Sequence, residues 1–419
     1  IGIDRVLSLE ELLAWAPFIE ALEVTAPAWE PGTAHGYHAI SFGHLVGEVI
    51  RRVSGQDVGS FIREHIAGPV GAEFIINSTV TGSQGGGDST TNGDRLHDVV
   101  GLAGGGWVAA WWDSAQDGSG GGIYMQRFDA NGTMVGGELR VNSVTSGAQT
   151  HVTVTALADG GYTVAWSSDG QDGSDRGVYQ KVYEANGLER LSRPTTDILV
   201  NTTVTSDQIA PKSAALADGG HIVVWASNQG GTWDVYAQRY DTNGQKMGGE
   251  FRVNNATTET QGYHATSAGV PNLDVTGLSG GGFVVTFAGN TGASNSWEIF
   301  ARRYDASGTA LTTTDTLVNT YTGSTQMVPQ AASLTDGGYV IAWASETQDG
   351  DGNGVYAQRY NSEGVAQGSE FRVNVTTTGN QGSRAGTDFH EEGLSVTGLK
   401  AGGFAVTWFS THADTTGDA

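Results

Sequence analysis

One phrase recurs six times along this chain of 419 residues: an apolar Leu, a Gly-rich turn and a strand ending in Trp or Phe. It is written GLAGGGWVAAW, ALADGGYTVAW, ALADGGHIVVW, GLSGGGFVVTF, SLTDGGYVIAW and GLKAGGFAVTW. The closing aromatics are Trp111, Trp166, Trp225, Phe287, Trp343 and Trp408, about 55 to 65 residues apart. Self-similarity at a period of tens of residues marks a propeller, a solenoid or an array of small units. The slight elasticity of the period means that loops vary in length while strands are kept.

Each unit carries further phrases. After the Trp strand comes GIYMQRFDANG, which recurs as GVYQKVYEANG, DVYAQRYDTNG, EIFARRYDASG and GVYAQRYNSEG. A third piece ends in Asn at Asn142, Asn201, Asn254, Asn319 and Asn374, and a fourth, such as HVTVTAL, leads into the next Gly-rich turn. The runs are short, rich in Val, Tyr, Phe, Trp and Thr, and bounded by Gly, Asn, Asp and Ser, which is strand and turn chemistry. Asp159, Gly160 and Gly161 tolerate positive φ, so the flanking strands can pair antiparallel. Four antiparallel strands in such a unit make one propeller blade, and a blade buries its faces only by stacking on its neighbours. Immunoglobulin-like units run to about 100 residues and β-helix repeats are far shorter, so both fit the period less well. The fold expected is mainly β, a β-propeller of about six four-stranded blades over residues 73–419. The two ends are expected to share one blade, which lacks the strand that follows the Trp strand.

Composition narrows the partners. With 64 Gly but 38% hydrophobic residues the chain is turn-rich and still apolar enough to fold. A formal charge of −24 repels a phosphate backbone, so nucleic acid is excluded as a partner and divalent cations are favoured. The absence of Cys removes disulfides, thiol catalysis and thiolate metal sites. No apolar run approaches the ~20 residues of a membrane span. A start at Ile1 without a signal peptide is read as a fragment or a processed chain.

Residues 1–72 differ. Ser8 and Glu11 have capping-box spacing, and Leu45, Val46, Val49, Ile50 and Val53 fall at helical intervals before Gly55. A short α-rich fragment is expected here, too small to make a core of its own. His35, His38 and His44 lie close in sequence, but without H-E-x-x-H spacing they read as surface or capping residues. The join falls where Glu73 and Phe74 match the Glu-Phe of GGEFRVN and GSEFRVN.

Residues 27–74, PAWEPGTAHGYHAISFGHLVGEVIRRVSGQDVGSFIREHIAGPVGAEF, resemble the serine β-lactamase-related esterases of the class C type. That resemblance implies an α/β serine-hydrolase domain in which a Tyr, here Tyr37, acts with a Ser-x-x-Lys nucleophile and base. The sequence departs from it in having Tyr37-His38-Ala39 for Tyr-x-Asn, and no Ser-x-x-Lys precedes Tyr37. A Tyr without its nucleophile does not cleave an acyl bond, so residues 1–70 as they stand are expected to be hydrolytically silent and Tyr37 to be a packed loop aromatic.

Between the Trp strand and the next lie SAQDGSGGG, SDGQDGSDRG and SETQDGDGNG. The last places Asp349, Asp351 and Asn353 at alternating positions beside Gly354, the pattern that opens a calcium loop, although the bidentate Glu of an EF-hand is missing. Ca2+ is the one cofactor considered, against a solvated Asp/Gly turn. The repeats of residues 73–419 also resemble those of large exported RTX-type bacterial proteins, through LADGGYVVxW-, QDGxGxGVYAQRYDxNG- and GxEFRVN-like phrases. This resemblance implies secretion or a place on the bacterial cell surface, while the G-G-x-G-x-D nonapeptides of that group are absent. Two functions are therefore in view. One is a non-enzymatic extracellular repeat module for binding a protein or glycan, adhesion or spacing, stabilised by calcium. The other is part of a serine β-lactamase-like esterase with an appended propeller.

Overall fold

The computed structural model describes residues 76–79, 83–84, 97–190, 196–256, 258–264, 270–292, 297–382 and 393–411. The chain divides into two compact units, Ile1–Ile75 and Ile76–Ala419, and the described residues belong to the second. The helical fragment expected over 1–72, with Tyr37 and the three His residues, lies outside them. No helix occurs among the described residues, which are built of strands and turns.

Five four-stranded sheets follow one another. The first is β1 (His97–Gly101), β2 (Trp107–Asp113), β3 (Gly122–Phe128) and β4 (Met134–Arg140), and the second β5 (Gln149–Ala156), β6 (Tyr162–Asp169), β7 (Arg176–Tyr183) and β8 (Ile198–Leu199). The third is β9 (Gln208–Ala215), β10 (His221–Ser227), β11 (Asp234–Tyr240) and β12 (Lys246–Arg252). A small hairpin, β13 (Tyr263–His264) and β14 (Val270–Pro271), precedes the fourth sheet of β15 (Leu273–Gly277), β16 (Phe283–Asn290), β17 (Trp297–Tyr304) and β18 (Thr316–Leu317). The fifth is β19 (Gln326–Ser333), β20 (Tyr339–Glu346), β21 (Asn353–Tyr360) and β22 (Phe371–Arg372), and the chain ends in the pair β23 (Leu394–Gly398) and β24 (Phe404–Trp408). Neighbours in every sheet are consecutive in sequence and antiparallel, as short turns between short strands require.

The recurring turn explains this order. Leu157 N–H donates to Gly161 O at 2.8 Å, Gly160 N–H to Leu157 O at 3.0 Å, and Gly161 N–H to Asp159 Oδ1 at 2.9 Å. Gly160 sits at φ +88°, and a Cβ on Gly161 would lie 2.4 Å from Tyr183 O, so neither position accepts a side chain without strain. The following hairpin closes in the same way, with Asp129 Oδ1 accepting from Asn131 N and Thr133 N at 2.8 Å each.

First strands of successive sheets lie side by side, β1 with β5, β5 with β9, β9 with β15, β15 with β19 and β19 with β23. This radial succession is that of a β-propeller-like fold. Among the described strands it runs from β1 to β23. Among the described residues five sheets have four strands and the sixth has two, where about six four-stranded blades with an incomplete closing one were expected.

Side chains alternate across each sheet, and each second strand sends its closing aromatic toward the preceding blade. Trp166 packs with Val108, Ala110 and Trp112, Trp225 with Ala165 and Val178, Phe287 with Val224 and Val235, and Trp343 with Val284 and Ile299. These four aromatics are 0% exposed, whereas Trp408 is 38% exposed, and among the described residues its sheet has two strands. We expect Trp225→Ala to cost about 3–5 kcal/mol, as truncation of a buried aromatic does, and Trp408→Ala to cost well under half as much. Chemical denaturation of the two variants checks the difference.

In the third blade the position held elsewhere by Trp107, Tyr162, Phe283 and Tyr339 is His221. Its ring stacks on Tyr240 with centroids 4.6 Å apart and its Nε2 lies 2.9 Å from Gln180 Oε1. Full burial, aided by the Arg190 charge, pushes its pKa down to about 3, so the imidazole serves as a neutral aromatic. The unfolded chain binds the proton more readily, so stability is complete above about pH 6.5 and falls as the pH drops toward 3. The loss approaches about 1.4 kcal/mol per pH unit from this group. His221→Phe should flatten that part of the acid limb of a stability-against-pH curve.

Candidate functional site

The loop-bearing end of the blades is built on five buried Asn residues. Asn201 Oδ1 accepts from Val178 N at 2.8 Å, and its Nδ2 donates to Thr203 O at 2.9 Å and Gln208 Oε1 at 3.0 Å. Asn142, Asn254, Asn319 and Asn374 likewise accept from the third-strand amides of Ile123, Val235, Ile299 and Val355. Each amide side chain thereby ties the third strand to the loop leading into the next blade. Acids from the outer part of one blade then hold the loop of the blade before. Asp197 accepts from Ser143 N at 2.8 Å, Glu250 from Thr202 N and Thr203 Oγ1, Asp315 from Asn255 N at 2.8 Å, and Glu370 from Thr320 N. Much of the acidic charge is therefore spent on backbone N–H groups.

The Gln-Asp-Gly loops join this network. Gln116, Gln171 and Gln348 donate to Glu138, Asp197 and Glu370. In the loop expected to bind calcium, Asp349 Oδ2 accepts from Asn374 Nδ2 at 2.9 Å and Asp351 Oδ2 from Gly379 N at 3.1 Å. Asn353 is buried at the start of β21, and its N–H donates to Asn380 Oδ1 at 3.1 Å. The hydrogen bonds of the three residues lead to different partners, Gln381 N–H donating to Asn353 O as well. Among the described residues no group of three or more His, Asp or Glu is arranged to hold a metal ion. One carboxylate oxygen in each loop, Asp117 Oδ2, Asp172 Oδ2 and Asp349 Oδ1, is nevertheless buried without a donor. Alternation in sequence shows the residues but not these pairings, which depend on Asn374 and Gly379.

A cavity of about 690 Å3 opens on the face of the first blade that points away from the second. Trp107, Ala109 and Trp111 wall it, with Val99 and His97 on β1 and Ile76, Asn77 and Gln84 at its edge. Its Asp98 is committed to structure, accepting from Thr153 Oγ1 at 3.1 Å and Val154 N at 2.9 Å. The walls are therefore mainly apolar and aromatic, suited to covering a flat or apolar group. The sequence shows Trp111 only as one of six anchors. That its face borders a cavity follows from its place in the first blade.

Fold and repeat define a propeller-like protein of radially packed blades. The profile of the β-lactamase family matches residues 2–232, more than half of the chain, and the chain belongs to that family. The match takes in the Trp-Glu-Pro-Gly-Thr segment and Tyr37 and continues through the first two blades into β10. No curated protein is significantly similar to the chain. Among solved structures, an α-L-arabinofuranosidase from Fusarium graminearum is 10% identical, with 78% of this chain and 90% of that one covered at a TM-score of 0.49. An α-L-arabinanase from Penicillium chrysogenum is 13% identical over 76% and 89% at 0.46, and an endo-arabinase from Bacteroides thetaiotaomicron 11% over 65% and 91% at 0.35. The expectation of a non-enzymatic module for binding, adhesion or spacing is corrected here. The family whose model the chain matches is one of hydrolases. No helix among the described residues is long and apolar enough to cross a membrane.

Proposed function

We propose that the protein is a hydrolytic enzyme of the β-lactamase family acting on an acyl bond, with Tyr37 at the family's tyrosine position. The observation that carries this reading is the family match over residues 2–232. The segment WEPGTAHGYH and the LVGEVIRRVSG pattern after it support the assignment. Ser-x-x-Lys does not occur in the sequence. In this reading the Tyr37 phenol relays the proton of the attacking hydroxyl to the leaving group as the acyl bond breaks. Secretion or display at the bacterial surface belongs to the same proposal and rests on the RTX-like phrases of the repeats.

The test is hydrolysis of a chromogenic cephalosporin and of an aryl ester by the 419-residue protein. Turnover above the uncatalysed rate is expected for at least one of them. Tyr37→Phe should lower it by about a hundredfold or more, the usual weight of a positioned proton donor or acceptor. Silence toward both substrates would refute the assignment.

A second reading concerns stability and is favoured by the three buried carboxylate oxygens without donors at Asp117, Asp172 and Asp349. A hard cation in the Gln-Asp-Gly loops would supply the missing charge, and calcium accepts such irregular oxygen sets better than magnesium. Millimolar calcium should raise the melting temperature, since a ligand at a hundred times its Kd adds about 2.7 kcal/mol. Replacing Asp349 and Asp351 by Asn should reduce the shift, and a melting curve indifferent to calcium at low ionic strength would dispose of the idea.

A further inference from the structure

At the end of the blades that carries the Gly-rich turns, each blade reaches the next through a guanidinium. Arg127, Arg239 and Arg303 hold the same place on β3, β11 and β17. Each donates to two carbonyls of the following blade's second hairpin turn, Ala185 and Asn186, Ala306 and Ser307, Ser362 and Glu363. In the second blade that place is Val182, and Arg190 reaches Thr242 O at 2.6 Å instead. In three blades the Gly-rich turn adds an acid. Asp159 accepts from Arg190 Nη2 at 2.7 Å, Asp218 from Arg239 Nη2 at 3.3 Å, and Asp336 from Arg359 Nη2. Carboxylate and turn carbonyl can share one nitrogen, since Arg239 Nη2 also donates to Ala306 O at 2.8 Å.

The first blade keeps the guanidinium and omits the acid. Its turn reads Leu102-Ala103-Gly104-Gly105 where the second blade has Leu157-Ala158-Asp159-Gly160, so Gly104 stands in the place of Asp159. Arg127 donates to Ala185 O at 2.6 Å and to Asn186 O, two of the five N–H groups of a guanidinium. Its Nε, like that of Arg239, is buried without a partner. A groove of about 530 Å3 opens beside Arg127 between the first and second blades, with Leu102, Ala130, Val135 and Ala158 among its walls. Between the third and fourth blades, where Asp218 is present, the corresponding groove measures about 270 Å3. The fourth blade also has Gly in place of the acid, Gly280, but there Arg303 lies over the Tyr339 ring, 6.0 Å from its centroid. Two carboxylates border the larger groove and both are engaged. Asp129 Oδ1 accepts from the amides of Asn131 and Thr133, and Asp159 accepts from Gly161 N and Arg190.

We propose that this groove binds a small monocarboxylate with an apolar body, its carboxylate taking on Arg127 the place that Asp159, Asp218 and Asp336 fill in their own blades. A carboxylate matches the planar donor fork of arginine, and the apolar walls cover the rest of the molecule. Asp129 at the border repels a second negative charge, so a monoanion fits where a dicarboxylate does not. The groove is walled by residues of the second compact unit alone, so it stands apart from the hydrolytic reading of Tyr37.

The probe is phenylacetate, whose head group repeats the aspartate side chain, titrated calorimetrically into the 419-residue protein. Saturable binding is expected, with uncharged 2-phenylethanol and the dicarboxylate phenylmalonate weaker by about tenfold or more. Arg127→Gln should abolish binding, but it also removes the bonds to Ala185 and Asn186. Gly104→Asp is therefore the second variant. A Cβ at Gly104 meets no atom within 4 Å and its φ lies outside the left-handed region, so the fold accepts the change. The new carboxylate would occupy Arg127 and lower the affinity for phenylacetate by about tenfold or more. Absence of saturable binding, equal binding of 2-phenylethanol, or an affinity unchanged in Gly104→Asp would overturn the proposal. So would tighter binding of the peptide acetyl-Ala-Asp-Gly-Gly-amide than of phenylacetate, which would assign Arg127 to an acidic protein segment.

Discussion

The structure rests on the burial of one aromatic per blade against the blade before it. A four-stranded sheet of short strands has two faces and no means of covering both, so each blade is completed by its neighbours. The second-strand aromatic lies at the middle of that contact and carries the largest apolar surface in it. Its alternation with Val, Ile and Ala fixes register, because a slip by one residue would turn Trp225 to the wrong face and bring Val224 in its place. The Gly-rich turn before the strand serves the same end. It brings the first strand back close enough to flank the aromatic, and Gly161 leaves room for Tyr183 O.

Polar groups then lock the order that apolar packing sets. The Asn at the end of each repeat fastens the third strand, and an acid of the next blade fastens the loop that follows. The contact therefore crosses from blade to blade at the rim as the aromatics do in the middle. Buried amides and carboxylates in this arrangement are paired with backbone donors, which is how polar groups are tolerated inside a β protein. One consequence concerns the candidate metal loop. Asp349 cannot turn freely toward Asp351, because Asn374 holds one of its oxygens. His221 shows the reverse economy, an ionisable group accepted in the core because its flat neutral ring does the work of Tyr or Phe.

Membership of the β-lactamase family and a propeller-like array of blades meet in one chain, and the family match runs across Ile75, where the two compact units divide. The residues with hydrolytic precedent stand in the first unit, around Tyr37. The second unit offers an aromatic and apolar surface at the cavity beside Trp111, and several of its acids hold loop amides.

Strands, turns and the four-part unit were legible in the sequence, because a period of two, β-branched residues and Gly-Asp-Asn turns act over a few residues. The phrases ending in Trp111, Trp166, Trp225, Phe287 and Trp343 each became a second strand where the repeat placed it. The number of complete blades was less legible. The phrase ending in Trp408 looks like the others, yet among the described residues β24 pairs with β23 alone. The candidate site divides in the same way. Alternating Asp349, Asp351 and Asn353 mark an oxygen-rich loop, but their hydrogen bonds run to Asn374, Gly379 and Asn380, which sequence spacing does not bring near. What the sequence determined by itself is local, the conformation that each short run adopts. What tertiary structure alone decided is which face is covered and by what, because burial depends on residues from neighbouring blades about sixty positions away.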